Sequence, residues 1–272
     1  MTSKQIATKI EIPLNTRRMR PSYIRLDSVA STNTYLASRA ADNLPHATVA
    51  TTFCQTAGRG QRGNSWEADD GKNITLSILL RPVALLPRQQ FFISEIVSLG
   101  IVAVLDAFLP HGDEVAIKWP NDIYVGNRKI CGILIENSIM GNRITSSIAG
   151  IGLNVNQERF LSDAPNPVSM LNIAGHEFPL EEVRDRLCGE ILSSFDNLGL
   201  SDATEHDDSH FADLHRRYKS RLWRREGFHP FLADGERFDA RIVDIAPDGI
   251  LTLADTSQRQ RSFAFKEVAF VL

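Results

Sequence analysis

The chain has 272 residues, 43% of them hydrophobic, and a formal net charge of -3. That length supports one large domain or a main domain with a small appendage, built on an ordinary globular core. A balance so near neutral excludes a surface made throughout for nucleic acid or anionic membrane, while leaving room for a local basic patch.

Residues 1–20 show no period and are expected as a flexible lead-in, with Arg17, Arg18 and Arg20 suiting either a solvated arm or a targeting or nucleic-acid arm. Residues 23–26 alternate and predict a strand. Residues 27–34 are rich in helix N-cap types and lead into Tyr35-Leu-Ala-Ser-Arg-Ala, a polar turn and then a helix. Residues 47–53 are β-branched enough for a strand, and 73–80 alternate as another. Between these two strands lies Gln55-Thr-Ala-Gly58-Arg59-Gly60-Gln61-Arg62-Gly63-Asn-Ser-Trp66. Glycines let backbone N–H groups line a concavity for an anion, and Arg59 and Arg62 add planar, permanent charge. Trp66 offers a flat surface for a ring. The stretch is neither a P-loop nor GxGxxG. Taken alone it reads as an anion-binding loop or as a surface turn carrying two arginines.

Pro87 opens a largely buried helix that runs to Leu109. Strands follow at 115–119, 129–136 and 143–154, with Trp119-Pro120-Asn121-Asp122 turning the chain between the first two. Residues 180–198 have helical spacing with Glu181 and Glu182 in the first turn, where the helix dipole favours acids. An acidic loop over 202–208 and a basic helix over 211–225 come next, the latter as a solvated or domain-bridging face. From Gly227 the texture changes to short alternating strands at 238–243, 250–253 and 261–265, with a turn at Pro247-Asp-Gly249. Their spacing predicts a small β-barrel or curled sheet, too small for a core of its own and therefore leaning on the main domain.

Cys54, Cys131 and Cys188 match neither a disulfide framework nor a zinc spacing, which points to a reducing cytoplasm. No apolar run is expected to reach the length of a bilayer crossing, and the first residues lack the apolar core of a signal peptide. Lys118 and Lys129 stand at strand ends, where each alone suits an exposed cation. Gly132, Gly150 and Gly152 interrupt apolar strands and so mark places where another backbone or a ligand comes close.

Four motifs occur in order: Gly58-Arg-Gly-x-x-Gly63-x-x-Trp66, Lys118-Trp-Pro-Asn-Asp122, Arg128-Lys129-x-x-Gly132 and Gly150-x-Gly152-x-Asn154. With Ser31-Thr32-Asn33 ahead of them, they resemble the biotin protein ligase family from about Tyr23 to the C-terminus. Gly227-Phe-His-Pro and Phe265-Lys-Glu-Val are similar to that family's SH3-like domain. The resemblance implies an α+β fold, a mixed β-sheet catalytic domain with helices packed on one side, at 21–225. It implies a small C-terminal SH3-like β-barrel domain at 226–272. It also implies ATP and Mg²⁺ as co-substrate and ion, biotin as substrate, and transfer to a lysine of a biotin carboxyl carrier protein or domain. A lipoate ligase or transferase of the same superfamily and a non-catalytic biotin-binding module are the alternatives.

By the same resemblance, Ser31, Thr32, Asn33 and Gln55 contact the biotin ring, whose ureido group needs both donors and acceptors. Leu134, Gly132 and Gly150 receive the rest of biotin, and Gly58, Arg59, Gly60 and Gln61 close over it. Lys129 meets the biotin carboxylate and the α-phosphate, with Arg59 and Arg62 also countering phosphate charge. Trp66, Asn121 and Asn154 serve the adenylate. Asp122 orients or deprotonates the incoming amine, and Lys129, Arg59 and Asp122 form the catalytic set. No resident metal site is implied. The short segment before Ser31 leads to the expectation of a monofunctional ligase without DNA or membrane partners, and leaves a homodimer open. Gln61 stands where several relatives carry a basic residue, so retention of the adenylate is expected to be weaker here. Gln61→Arg should slow release of biotinyl-adenylate, and equal off-rates for the two proteins would refute this.

Overall fold

A computed structural model describes residues 20–60, 64–110, 112, 114–162, 165–201 and 208–272. The lead-in with Arg17 and Arg18, the loop residues Gln61, Arg62 and Gly63, and the acidic residues 202–207 lie outside the described residues. Seven strands make the larger sheet: β1 (Ser22–Val29), β2 (Thr48–Gln55), β3 (Ile74–Leu80), β4 (Val115–Lys118), β5 (Asp122–Val125), β6 (Arg128–Met140) and β7 (Arg143–Leu153). Their spatial order is β1-β2-β3-β7-β6-β5-β4. Only β1 and β2 are parallel, because α1 (Thr32–Ser38) intervenes between them; all other neighbours are antiparallel.

The two faces of this sheet do different things, and β3 shows why. Leu76, Ile78 and Leu80 point into the main core, whereas Ser77 and Leu79 point the other way, to α1. The core face is covered by α2 (Phe91–Phe108), α4 (Leu180–Asn197) and α5 (Asp208–Ser220), the short α3 (Met170–Ala174) lying between β7 and α4 in the chain. Helices therefore lie on both sides, where one side was expected. Pro87–Gln89 forms a 3₁₀ turn ahead of α2. By length and composition the run Pro87–Phe108 is apolar enough to cross a membrane, against expectation. Its residues are mostly buried between the sheet, α4 and α5, which explains an apolar character all round the helix.

Two local features depart from the sequence reading. The strand β5 was not foreseen, although Ile123-Tyr-Val125 followed by Gly126-Asn127 is a hairpin signal and Gly126 has a φ of 56°. The basic helix ends at Ser220, and the next residues run beside β4. There Ile117 donates its N–H to the Arg221 carbonyl at 2.7 Å and Trp223 donates to the Ile117 carbonyl at 2.9 Å. That pairing covers the outer edge of β4.

The second sheet is antiparallel, with β8 (His229–Ala233), β9 (Glu236–Ile245), β10 (Leu251–Asp255), β11 (Gln260–Phe263) and β12 (Val268–Phe270) in the order β11-β10-β9-β8-β12. It rests on the larger unit through buried polar anchors. Trp119 Nε1 donates to the Gly249 carbonyl at 3.0 Å, and within the larger unit Tyr218 on α5 holds the same turn by donating its hydroxyl to the Pro120 carbonyl at 2.6 Å. His215 on α5 joins three elements: Nδ1 lies 2.5 Å from Glu95 of α2, and Nε2 lies 2.7 Å from the Ile245 carbonyl of β9. Lys219 and Asp244 pair beside them at 2.9 Å.

The hydrogen bond to Glu95 raises the His215 pKa above the ordinary 6.5, and burial pushes Glu95 up as well. Both groups thus hold a proton more tightly when folded. The histidine's stabilising contribution is complete below 6.5 and fades as pH rises through its higher folded-state value. Glu95→Gln should cost about 2 kcal/mol near pH 6 and progressively less toward pH 8. Thermal melts across that range check it; a parallel offset at every pH contradicts it.

Candidate functional site

The face of the large sheet opposite the main core, together with β12, encloses a cavity of about 860 Å³. At one end stands the N-terminus of α1. Ser31 is its N-cap, extended in backbone and accepting weakly from the Thr34 N–H at 3.5 Å. The Thr32 N–H donates to Gln55 Oε1 at 3.0 Å, and the Ser77 hydroxyl lies 2.7 Å from Thr32 Oγ1 and 2.6 Å from Asn33 Oδ1. Asn33 Nδ2 donates to the Leu134 carbonyl at 3.1 Å and to Glu136 at 2.8 Å. Asn33 is thus hydrogen-bonded through both amide atoms, and it lines this end of the cavity. Ser31, Thr32 and Gln55 line the cavity beside it as donors and acceptors.

The loop after β2 closes on itself. Trp66 donates its N–H to the Gly58 carbonyl at 3.0 Å, and Gly60 donates to the Asn64 carbonyl at 2.6 Å. A side chain at Gly58 would meet the Trp66 carbonyl oxygen at 2.5 Å, so the closure itself requires glycine there. Arg59, expected to counter phosphate charge, reaches the α1 end of the cavity. It donates to Glu136 at 2.9 Å and to Thr34 Oγ1 at 3.2 Å. Glu136 lies seven positions beyond Lys129 on β6, roughly 23 Å of extended strand.

Gly132 on β6 and Gly152 on β7 are directly paired, and the Trp66 indole lies across them. A Cβ at Gly132 would sit 2.7 Å from Trp66 Cζ3, and one at Gly152 would overlap Trp66 Nε1. A Cβ at Gly150 would overlap Asn33 Oδ1. Gly132, Leu134 and Gly150 all line the cavity, with Trp66 packed against the first glycine and Asn33 against the last. Next to the indole, Asn154 is buried and donates through Nδ2 to the Val168 carbonyl at 3.0 Å. Its Oδ1 and Trp66 Nε1 have no partner among the described residues. One buried acceptor and one buried donor at the same end mark a place for a ligand that offers the reverse.

Lys129 pairs with Asp122 at 2.8 Å, both side chains about two-thirds shielded, and Lys129 Nζ lies 5.7 Å from the Trp66 ring centre. Asp122 is the cross-strand partner of Lys118. Lys118 is not the exposed cation that its position suggested: it sits among Tyr124, Trp223 and Phe270, with Nζ donating to the Tyr124 hydroxyl at 3.3 Å. Burial pulls its amine below the ordinary lysine value; Asp122 opposes that, and Lys129 and Arg224 add to it. Asn121 is buried and donates to the Ile133 carbonyl at 3.1 Å, pinning the turn that carries Asp122. Among the described residues no group of three histidine, cysteine or carboxylate donors gathers as a metal site.

Three contributors escaped sequence reasoning. Ser77 carried a signal, since it and Thr75 are polar at alternate positions of an apolar strand and so share a face. Glu136 and Glu67 carried none, because their partners are far along the chain.

The model of the biotin/lipoate A/B protein ligase family matches residues 26–154, the span from β1 to Asn154. The biotin--[acetyl-CoA-carboxylase] ligase of Mycobacterium tuberculosis is 32% identical over 197 residues, 67% of this chain and 71% of that protein. The bifunctional ligase/repressor BirA of Bacillus spizizenii is 36% identical over 152 residues, 56% of this chain, and the chain spans about half of that protein's length, 46%. Among solved structures, the biotin protein ligase from Aquifex aeolicus in complex with biotin and ATP superposes with a TM-score of 0.71 at 21% identity, covering 91% of this chain and 97% of that one. The superposition establishes the fold, sheet plus small β-domain, and the mycobacterial alignment establishes kinship over two thirds of both sequences. The chain belongs to the biotin protein ligase family.

Proposed function

We propose that this protein is a biotin protein ligase, which activates biotin with ATP to biotinyl-5′-adenylate and passes the biotinyl group to a lysine of a biotin carboxyl carrier protein or domain. The observation that carries the reading is the division of one cavity: a hydroxyl-and-amide end at Thr32 and Gln55, an aromatic end at Trp66 and Asn154, and the cation Lys129 on the same wall. The first end satisfies a ureido ring, which both donates and accepts. At the other, the unpartnered Asn154 Oδ1 accepts from an exocyclic amine such as that of adenine, and the indole supplies a stacking surface. Attack of a carboxylate on the α-phosphorus builds negative charge, which a fixed ammonium stabilises more in the transition state than in the ground state. Asp122 holds Lys129 in place and is the carboxylate available to orient the acceptor amine. Mg²⁺ would enter with ATP and offset phosphate charge, and Asp122, paired with Lys129, is a carboxylate on the cavity wall that could help hold it. The acceptor on a carboxylase and a cytoplasmic setting belong to the same proposal.

Incubation with ATP, Mg²⁺ and either biotin or lipoate, with a biotin carrier domain as acceptor, tests it. Biotin-dependent pyrophosphate release and labelling of the carrier are expected. Lipoate-dependent release would favour the lipoate branch, and biotin binding without any release would leave a binding module.

A further inference from the structure

We propose that Glu67 is a positioning residue for the nucleotide: its carboxylate ties the loop that carries Trp66 to the chain after β7, and so fixes Phe160 and Leu161 as the outer wall of the aromatic end. The proposal rests on the reading of that end as the nucleotide site.

Glu67 follows Trp66 directly, and both line the cavity together with Phe160, Leu161 and Ser162. Glu67 Oε1 accepts from the Leu161 N–H at 2.7 Å and from Gln157 Nε2 at 3.2 Å, while Oε2 accepts from the Ser162 N–H at 2.8 Å. Two successive backbone donors on one carboxylate are charge-assisted bonds of the stronger kind. Residues 157–162 belong to no helix or strand, so these N–H groups have no ladder partner and depend on a side chain or water. Burial works to raise the Glu67 pKa, but the bonds from Ser162, Leu161 and Gln157 hold it below the ordinary carboxylate value.

Gln157 doubles the tie from the other side. It is fully buried, accepts from the Asp69 N–H at 3.0 Å and from Asn73 Nδ2, and donates to the Arg159 carbonyl at 2.9 Å. Beyond Pro165 the chain is fastened again, where Lys129 donates its N–H to the Asn166 carbonyl at 2.8 Å and Val168 donates to the Lys129 carbonyl at 3.0 Å. The wall is thus attached at one end beside Trp66 and at the other beside Lys129. Leu161 is 89% exposed on the cavity rim although its backbone is pinned. Leu161 and Trp66 line the same cavity, so the tie sets the position of one relative to the other.

Glu67→Ala and Glu67→Gln test the assignment on the full chain. For the alanine variant we expect the KM for ATP to rise about tenfold, with kcat and the Kd for biotin within about twofold of wild type. The exposed Arg159 provides a readout apart from activity: trypsin should cut after it several-fold faster in Glu67→Ala. Glu67→Gln keeps an acceptor without the charge and should fall between wild type and alanine in both measurements. An unchanged ATP KM overturns the proposal, as does unchanged cleavage after Arg159. A loss of biotin affinity and thermal stability in step with ATP affinity in both variants also overturns it, by making Glu67 a general structural residue. Absence of biotin-dependent pyrophosphate release in the wild type would instead refute the function proposed for the site, and the trypsin comparison would still decide the tie.

Discussion

Lys129→Ala should slow biotin-dependent pyrophosphate release by about 10²- to 10³-fold, the usual consequence of removing one preorganised charge from a developing anion. Biotin binding should change far less, because the contacts proposed at Thr32 and Gln55 are untouched. The geometry makes the effect larger than the loss of an exposed lysine. Lys129 is held by Asp122 at 2.8 Å, so its ammonium is already placed and needs no ordering during the reaction. Its removal also leaves Asp122 without its ion-pair partner and facing incoming phosphate. Lys129→Ala with Asp122→Asn should therefore recover part of the adenylation rate lost in the single variant. Pyrophosphate exchange, which reads adenylation without the carrier, separates this from any role of Asp122 in transfer. Near-normal exchange in Lys129→Ala would remove the lysine from the reaction.

Gly152→Ala should raise the KM for ATP by about 5- to 150-fold, corresponding to the ~1–3 kcal/mol of one base stacked on an aromatic ring. No glycine-specific dihedral is involved, since Gly152 has an ordinary strand backbone. The cause is steric: a methyl group there falls on the Trp66 indole, which has no other seat on the Gly132–Gly152 pair. Trp66→Ala should match it in size, and the double variant should be no worse than either alone, because both act through one ring. Fluorescence of Trp66 on adding nucleotide gives a second reading. Additive losses would show that glycine and tryptophan serve the ligand separately.

Much of this was visible in the chain. The alternation of 73–80 and the β-branched run of 47–53 located β3 and β2 and so the loop between them, because strand period is a local property. The ordered motifs, through the family they resemble, singled out Lys129, Asp122 and Asn154, and the structure brings all three to the wall of one cavity. What sequence did not yield is contact between distant stretches. Arg59 sits in a glycine-rich loop that suggests phosphate, yet its guanidinium goes to Glu136, 77 positions away. Gly132 and Gly150 announce close approach without naming the visitor, which the structure identifies as Trp66 and Asn33. Lys118 stands at a strand end, and only the arrival of Trp223 and Phe270 from the C-terminal part of the chain surrounds it.

The anchors between the two sheets have a consequence for how the molecule comes apart. Phe231, Ile242 and Phe270 of the small sheet belong to the same contiguous buried cluster as Trp119, Trp223 and Phe91. A side chain at Gly249 would press on the Phe91 ring at 2.6 Å, so even the turn before β10 is moulded to α2. The small sheet is consequently a cooperative part of the whole, melting with it in one transition, and peeling it away would open one wall of the cavity to water along β12.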